Sequence, residues 1–220
     1  MVVRPGYKQT DVGVIPDEWA VVSLGNLSEF VTSGSRGWAT YYSDRGALFV
    51  RSQNVRDGRL DLADCQFVNP PQGAEGNRTR LNRSDLLITI TGNSVGNVAL
   101  VQQELGEAYI SQHVGLVRLS EPSSGQYVCL FLSPGSPGNK QIWASQSGQS
   151  KPGLSLGNLQ DFWVALPPPP EQRAIAEALS DVDALLGALD RLIACYDPRQ
   201  FGVIDPPYLR ANRAVCPTAI

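Results

Sequence analysis

ALPPPPEQRAIAEALSDVDALLGALDRLIA, residues 165–194, joins four consecutive prolines to a segment with helical periodicity. Its large apolar residues follow one another at alternating steps of four and three: Ile175, Leu179, Val182, Leu186, Leu189 and Ile193. This heptad spacing predicts a helix whose narrow apolar seam pairs with another helix. The alternative is a helix that lies against its own domain, although such a helix usually has a wider apolar face.

The prolines determine how this helix begins. Residues 167–170 predict an extended polyproline segment that fixes how the chain leaves the preceding domain. Pro170 suits the first helical turn, where its missing N–H group costs no hydrogen bond, and Glu171 lies near the positive end of the helix dipole. A helix over 170–195 would be about 39 Å long at 1.5 Å per residue.

The preceding sequence is typical of a compact, mainly antiparallel β domain. Short β-branched or aromatic runs recur about every ten residues, separated by glycine, asparagine and aspartate. The segment GNLSEFVTSG (25–34) favours a short helix or turn, and SGQYVCLFLSP (124–134) a short helix packed on the sheet. We therefore predict the α+β class, with a β-rich domain and N-terminal arm over 1–166, a polyproline lead-in and long projecting helix of the coiled-coil type over 167–196, and an irregular tail over 197–220.

The net charge of −3 hides an asymmetry along the chain. Residues 36–83 contain eight arginines against five acidic residues, whereas residues 155–197 contain seven acidic residues against two arginines. We refer to 36–83 as the basic stretch. This distribution is compatible with DNA at one end and a protein partner at the other, although an unevenly charged solvated surface would look the same.

Other features indicate a protein of the cytoplasm. No apolar run reaches the ~18 residues that a membrane span requires, and the N-terminus has no signal-peptide pattern. The four cysteines, Cys65, Cys129, Cys195 and Cys216, form no C-x-x-C pair and suit small buried positions in a reducing compartment. With the single histidine His113, they make zinc or another metal an unexpected cofactor.

Three polar stretches carry the residue types that DNA recognition requires. Arginine suits guanine, asparagine and glutamine suit adenine, and hydroxyl and cationic groups suit phosphates. The candidates are Ser35, Arg36, Trp38, Tyr41 and Tyr42 in the first stretch, Arg51, Gln53, Asn54 and Arg56 in the second, and Gln146, Ser147, Gln149, Ser150 and Lys151 in the third. An ordinary polar loop is the alternative for each stretch. We expect scaffold positions at Asn93, Ser94 and Gln112, a half-buried His113, and core positions for Trp19, Trp143 and Trp163.

Four segments in this order resemble the specificity subunit of type I restriction–modification systems. They are GVIPDEWAVVSLGNL (13–27), LLITITGNSVGNVALV (86–101), YISQHVGLVRL (109–119) and LSLGNLQDFWVALPPPPEQRAIAEALSDVDALL (154–186). Each piece is a weak motif alone, but four pieces in the right order are specific. The resemblance extends over residues 6 to about 194 and is most specific in its last segment.

The resemblance implies a target recognition domain that reads one half of a split DNA site, followed by a helix that pairs with a second, antiparallel helix as a ruler. It further implies that methylation and cleavage, with AdoMet, ATP and Mg, belong to separate modification and restriction subunits, so this chain needs no cofactor and catalyses no reaction. Family members usually carry two recognition domains and two helices. This sequence has one recognition domain and one helix, and so resembles a half-length form. Its expected partners are double-stranded DNA, the modification subunits, the restriction subunit through the complex, and a second copy of the chain through the long helix. No association with a membrane is expected.

Other interpretations remain open. The sequence of 197–220 departs from the family pattern, so the chain could be a truncated, non-functional specificity fragment, or an interaction scaffold that uses only its helix. A methyltransferase or nuclease is disfavoured. DPPY at 205–208 resembles a methyltransferase loop but has no glycine-rich cofactor turn, and DLADC at 61–65 does not supply a cluster of metal-binding carboxylates.

Overall fold

The computed structural model describes residues 3–56, 58–70, 73–146 and 153–195 of the chain. The chain divides into two compact units, residues 1–176 and residues 177–220. The described strands all lie in the first unit, which also contains the start of the long C-terminal helix. The α+β class is therefore confirmed, and the division between units falls within the long helix, after the boundary at 166 that the sequence suggested.

The strands and helices follow one another in this order. The strands are β1 (Tyr7–Thr10), β2 (Gly13–Pro16), β3 (Ala20–Ser23), β4 (Ser28–Ser33), β5 (Tyr42–Ser43), β6 (Ala47–Val50), β7 (Val55–Arg56), β8 (Arg59–Leu60), β9 (Gln66–Val68), β10 (Leu86–Thr89), β11 (Val98–Leu100), β12 (Ala108–Ile110), β13 (Val114–Leu119) and β14 (Trp163–Leu166). The helices are α1 (Ala74–Thr79), α2 (Gly125–Leu132), α3 (Asn139–Ala144), α4 (Leu156–Asp161) and α5 (Pro169–Cys195), with short 3₁₀ turns at Trp38–Tyr41, Ser52–Asn54 and Pro122–Ser124.

An antiparallel sheet in the order β11-β10-β13-β4 forms the middle layer of the first unit. All four residues of β10 are buried, as are five of the six in β13. Strands covered on both faces do not alternate polar with apolar residues, which explains the continuous apolar character of β10 and β13. Successive side chains of β10 therefore enter two different hydrophobic clusters.

The two faces of this middle sheet pack against different layers. Leu86 and Ile88 join a cluster that also contains side chains of α2, α3, α4 and β14. Leu87 joins the opposite cluster, with side chains of β6, β7 and β12. The first unit thus has helices on one side of the middle sheet and a second sheet on the other side.

The second sheet has the order β12-β6-β9-β5. β12 and β6 run parallel, whereas β6 with β9 and β9 with β5 are antiparallel. A third apolar cluster, formed by Trp38, Ala47, Phe49, Val68 and Tyr109, is associated with this sheet. Three further antiparallel pairs complete the first unit, β1 with β2, β3 with β14, and β7 with β8.

α5 begins at Pro169, one residue before the predicted start. The second half of the proline run therefore lies in the helix, and the extended segment is shorter than the predicted 167–170. Glu171 lies in the first turn, as predicted. Proline is tolerated here because the first turn of a helix has no partner for its N–H groups.

The start of α5 is attached to its own β unit. Trp19 Nε1 donates to Glu171 Oε2 at 3.0 Å, and Gln172 Nε2 donates to the Pro167 carbonyl at 2.8 Å. Gln172 is only 4% exposed, and Ile175 packs against the cluster of the middle sheet. Ile175, which the sequence assigns to the intermolecular seam, therefore contacts the core of its own domain and is only partly exposed.

Two N-terminal segments differ from the sequence-based expectation. Residues 28–33 within GNLSEFVTSG form β4 rather than a helix or turn, because this segment pairs with β13 at the edge of the middle sheet. The N-terminal arm forms the β1–β2 hairpin, in which Thr10 is opposite Gly13. The predicted helix in 124–134 is confirmed as α2, and Tyr127 on α2 donates its hydroxyl hydrogen to the Ala165 carbonyl at 2.6 Å.

Several burial predictions also change. Trp143 is 64% exposed and Trp163 is 43% exposed, so neither is a core residue, while Trp19 is partly buried. Trp163 lies on the solvent side of β14, and its backbone N–H and carbonyl both bond to the Gln141 side chain at 2.7 Å. The backbone groups of Trp163 are therefore hydrogen-bonded without burial of the indole ring.

The described cysteines differ in environment. Cys129 on α2 is 1% exposed, and burial raises the pKa of its thiol to about 12. Cys65 is exposed, contrary to the prediction of buried cysteines, and Cys216 lies outside the described residues. Across the described part of the chain, no helix combines the length and apolar character needed to cross a membrane.

An ion pair ties β13 to the start of β10. Arg118 Nε and Nη2 donate to the two carboxylate oxygens of Asp85 at 2.8 and 2.7 Å, and the Asn82 amide donates to Asp85 Oδ2 at 2.7 Å. Asp85 is 1% exposed, and its hydrogen bond raises the pKa of Arg118 above the ordinary value. The carboxylate is thus buried with its charge paired and its oxygens satisfied.

Replacing Asp85 with alanine should lower the free energy of unfolding by about 3 kcal/mol, because it leaves a partly buried guanidinium and an amide without their acceptor. Urea denaturation followed by far-UV circular dichroism measures this loss. Asp44→Ala, at an exposed acid, is the matched control and should change the stability by less than about 0.5 kcal/mol. Equal effects of the two substitutions would show that the Asp85 ion pair does not stabilise the fold.

Candidate nucleic-acid interface

The parallel pairing of β6 and β12 brings two polar segments to one edge of the second sheet. Val50 is opposite Ile110 in this pair, so both strands end at the same edge. The Ser111 amide donates to the Val50 carbonyl at 2.9 Å, which keeps the two chain segments together beyond the strands. Arg51 on one side and the segment 111–113 on the other therefore start from adjacent positions.

A third segment reaches this edge from β4. The Gly34 amide donates to the Val114 carbonyl at 3.4 Å, and the Cα of Gly34 packs against the backbone of Ile110 and Ser111. A Cβ atom at residue 34 would overlap these backbone atoms, so only glycine fits without a shift of the chain. Ser35 consequently lies beside the residues that follow β12.

Arg78 on α1 holds this third segment in place. Its Nη1 donates to Thr32 Oγ1 and to the Ser33 carbonyl at 2.8 Å, and its Nη2 donates to Ser35 Oγ at 2.7 Å. Ser35, a predicted DNA contact, therefore already accepts a hydrogen bond from Arg78 at its hydroxyl oxygen, although its O–H group can still donate one. Sequence patterns do not indicate this role, because Arg78 looks like one more cation of the basic stretch.

The turn after β6 is built around a buried asparagine. Asn54 is 3% exposed, and its Oδ1 accepts from the Arg51 amide at 2.9 Å. Its Nδ2 donates to the carbonyls of Asp61 at 2.8 Å and Asp64 at 2.9 Å. The prediction of a DNA contact at Asn54 is wrong, since its amide is buried and completes the fold of the turn.

The other polar residues of this turn lie closer to the solvent. Arg51 Nη2 lies 3.2 Å from Asp64 Oδ2, and Gln53 Nε2 donates to the same oxygen. Gln53 and Arg56 are exposed, and Arg56 Nε donates to the Gln53 carbonyl at 2.9 Å. Gln53 and Arg56 are thus accessible, Arg51 is partly buried, and Arg51 and Gln53 share one carboxylate partner.

The first predicted stretch divides into buried and exposed residues. Trp38 is 2% exposed, with its ring stacked on Phe49 at 5.6 Å and tilted against Tyr109 at 5.3 Å. A DNA contact by Trp38 is therefore wrong, because its ring belongs to the apolar cluster of the second sheet. Arg36 is exposed and Tyr41 is 40% exposed, so both remain candidates.

Residues assigned to the scaffold also reach this edge. His113 is exposed rather than half-buried, with its Nδ1 2.6 Å from Thr91 Oγ1 and its Nε2 3.1 Å from Gln112 Nε2. Thr91 in turn forms a β-bridge with Gly153. The sequence signal that could have identified these residues is the polar triplet SQH directly after a buried strand.

The third predicted stretch falls largely outside the described residues. Ser147, Gln149, Ser150 and Lys151 lie there, and Gln146 is partly buried just after α3. Gly153, the first described residue after this stretch, is the residue bridged to Thr91. Among the described residues, no group of three or more histidine, cysteine, aspartate or glutamate side chains could hold a metal ion.

Replacing Arg78 with alanine should loosen the segment that follows β4, because three hydrogen bonds from one guanidinium are lost. Amide exchange of Gly34 and Ser35 should accelerate by about tenfold, while the amides of β10 and β13 keep their protection. NMR or mass spectrometry measures these amide exchange rates directly. Arg83→Ala, at another exposed arginine of the basic stretch, should leave exchange unchanged. Unaltered protection in the Arg78 variant would show that Gly34 alone holds the segment.

Comparisons with known proteins agree with this architecture. The family model described as the Type I restriction modification DNA specificity domain matches residues 16–193. The putative type I restriction enzyme MjaX specificity subunit of Methanocaldococcus jannaschii is 23% identical over 203 residues, and the match covers 90% of this chain and 47% of that protein. The chain thus spans about half the length of this curated relative.

Two solved structures share the fold. The HsdS subunit from Thermoanaerobacter tengcongensis matches with a TM-score of 0.57 and 19% identity, over 85% of this chain and 42% of that one. A chain from a study of complex assembly and conformational transition of the type I R-M system matches with a TM-score of 0.60 and 20% identity, over 82% and 42%. Since the family model covers most of the sequence, the chain belongs to the family of type I restriction modification DNA specificity domains.

Proposed function

We propose that this chain reads one half of a bipartite DNA site for a type I restriction–modification complex. The observation that carries this proposal is the meeting of three polar segments, those after β4, β6 and β12, at one edge of the second sheet. Family membership supplies the functional class. Methylation and cleavage, together with AdoMet, ATP and Mg, then belong to separate subunits.

The polar and charged groups at this edge have the chemistry that DNA recognition needs. Arg36 and Arg56 are exposed cations suited to phosphates, which supply most of the salt-dependent affinity for DNA. Arg51 and Gln53 carry the forked donors and the amide that pair with guanine and adenine in the major groove. Phosphate contacts would set the register, and the base contacts would select the sequence.

The long helix supplies a surface for protein association. The exposed residues of its apolar face are Leu179, Val182, Leu185, Leu186, Leu189, Leu192 and Ile193. We propose that this face pairs with the corresponding helix of a second recognition domain, which a second copy of the chain can supply. An interaction scaffold without DNA recognition is the competing proposal, and this exposed apolar face is the observation that favours it.

Mapping of methylated bases after co-expression with a type I modification subunit tests the proposal. We expect methylation at a motif with two short half-sites. The 27-residue α5 is about 40 Å long, slightly more than one turn of B-DNA at ~34–36 Å, so the half-site centres should lie about one turn apart.

The symmetry of the mapped motif identifies the second domain. Two copies of this chain related by a two-fold axis must read the same half-site on opposite strands, which gives an interrupted palindrome. An asymmetric motif would assign the second half-site to a different recognition domain. Methylation without sequence preference, or none at all, would contradict the proposed function and favour the scaffold.

Leu186→Asp should weaken association of the assembled complex by roughly tenfold or more, because an unpaired carboxylate would be buried between helices. Analytical ultracentrifugation of the full chain with its modification subunit measures this loss. Ala184→Asp adds the same charge two residues away on the exposed helix and is the matched control, which should assemble normally. Equal association of the two variants would show that the apolar face at Leu186 makes no contact in the complex.

A further inference from the structure

One carboxylate occupies two donors of the proposed DNA-reading edge. Asp64 Oδ2 lies 3.2 Å from Arg51 Nη2 and accepts a hydrogen bond from Gln53 Nε2. These are the two side chains of the turn after β6 that are best suited to base edges. Any DNA that engages Arg51 or Gln53 must therefore compete with Asp64 or satisfy it.

The fold holds Asp64 in this position. Its backbone carbonyl accepts from Asn54 Nδ2 at 2.9 Å and from Arg51 Nη2 at 3.3 Å. The Asp61 amide donates to the Asn54 carbonyl at 2.8 Å, which ties the same two segments together again. Since Asn54 is buried, the contact between the carboxylate and the two donors results from the core of the turn and is not a chance surface encounter.

The Asp64 side chain is nevertheless open to the solvent. It is 73% exposed, whereas the Arg51 side chain is 24% exposed. Carboxylate and phosphate oxygens both accept hydrogen bonds from a guanidinium, so Asp64 Oδ2 takes a place at Arg51 Nη2 that a DNA phosphate could otherwise take. Once displaced, the free carboxylate would face the negative charges of the DNA backbone.

We propose that Asp64 is a specificity-determining residue that suppresses binding to DNA lacking the recognised site. This inference rests on the proposed function. Non-matching DNA must break the Arg51 and Gln53 contacts and leaves the carboxylate facing phosphates. A matching sequence offers an exocyclic amino group, from cytosine or adenine, to the carboxylate, so that Asp64 is satisfied in the bound state. Specificity then includes a repulsive element against the wrong sequence.

Asp64→Asn tests this role in the full chain assembled with its modification subunit. The probes are a duplex that contains the methylated motif and a duplex of the same length and composition without it. The variant should bind the duplex without the motif about fivefold more tightly, with a salt dependence steeper by about one ion. Its affinity for the motif should change less, so the ratio of the two affinities falls. Thermal unfolding should match the wild type, because Asp64 is exposed.

Two controls separate this role from general electrostatics. Asp44→Asn removes one negative charge from the same basic stretch and should change binding to the duplex without the motif by less than about twofold. In an Arg51→Met background, Asp64→Asn should lose most of its effect, because the double-mutant cycle isolates the contact between the two side chains.

The outcomes distinguish this inference from the proposed function. Three results would refute the role of Asp64 while the proposed function stands. Asp64→Asn could leave binding to the duplex without the motif unchanged, or Asp44→Asn could have an equal effect. The third is an effect of Asp64→Asn that persists in the Arg51→Met background. If the wild-type complex does not distinguish the two duplexes, the proposed function fails, and the role of Asp64 fails with it.

Discussion

The parallel pairing of β6 with β12 is the constraint on which the candidate interface depends. Among the strand pairs that the structure describes, the others are antiparallel. If β6 and β12 were antiparallel, the segments after them would leave from opposite ends of the sheet, and Arg51 would be separated from Ser111 by the length of a strand. Parallel pairing instead places both segments at one edge, and Gly34 brings the segment after β4 to the same place. A compact reading edge therefore follows from strand direction before any individual polar side chain is considered.

The arginines of the basic stretch have different roles that a charge count cannot separate. Arg78 uses its guanidinium within the domain to hold the segment after β4, and Arg51 is paired with an exposed carboxylate. Arg36 is exposed beside the residue that Arg78 holds. Internal hydrogen bonding by one cation thus determines where another cation is presented. Net charge indicates that a surface attracts DNA, whereas the hydrogen-bond partners decide which of its arginines are available.

The sequence predicted those parts of the fold in which a single cause, such as burial or helix formation, determines the local spacing of apolar residues. The continuous apolar run of β10 reflects burial on both faces, and the heptad spacing after the prolines reflects a long helix. The prediction failed where residues distant in sequence decide the outcome. Trp38 lies among polar residues in a 3₁₀ turn and is buried because Phe49 on β6 and Tyr109 on β12 pack against it. Asn54 has the chemistry of a base-reading residue, but its amide groups complete a turn that extends to Asp64, and local sequence does not reveal such a partner.

The apolar stripe of α5 serves two purposes that the heptad pattern does not distinguish. Ile175 packs against the domain that precedes it, whereas Leu179, one step further along the same stripe, is 45% exposed. Packing against the domain and pairing with another helix both require an apolar residue at the same helical position. Periodicity alone therefore cannot show where along the stripe the residues stop contacting the domain. Further along the helix, Leu185 and Leu192 are 60% and 66% exposed and lie beside the heptad seam as additional exposed apolar residues. The apolar pattern is therefore the same along the stripe, and only the packing at Ile175 separates the residue that the domain covers from the residues that stay exposed.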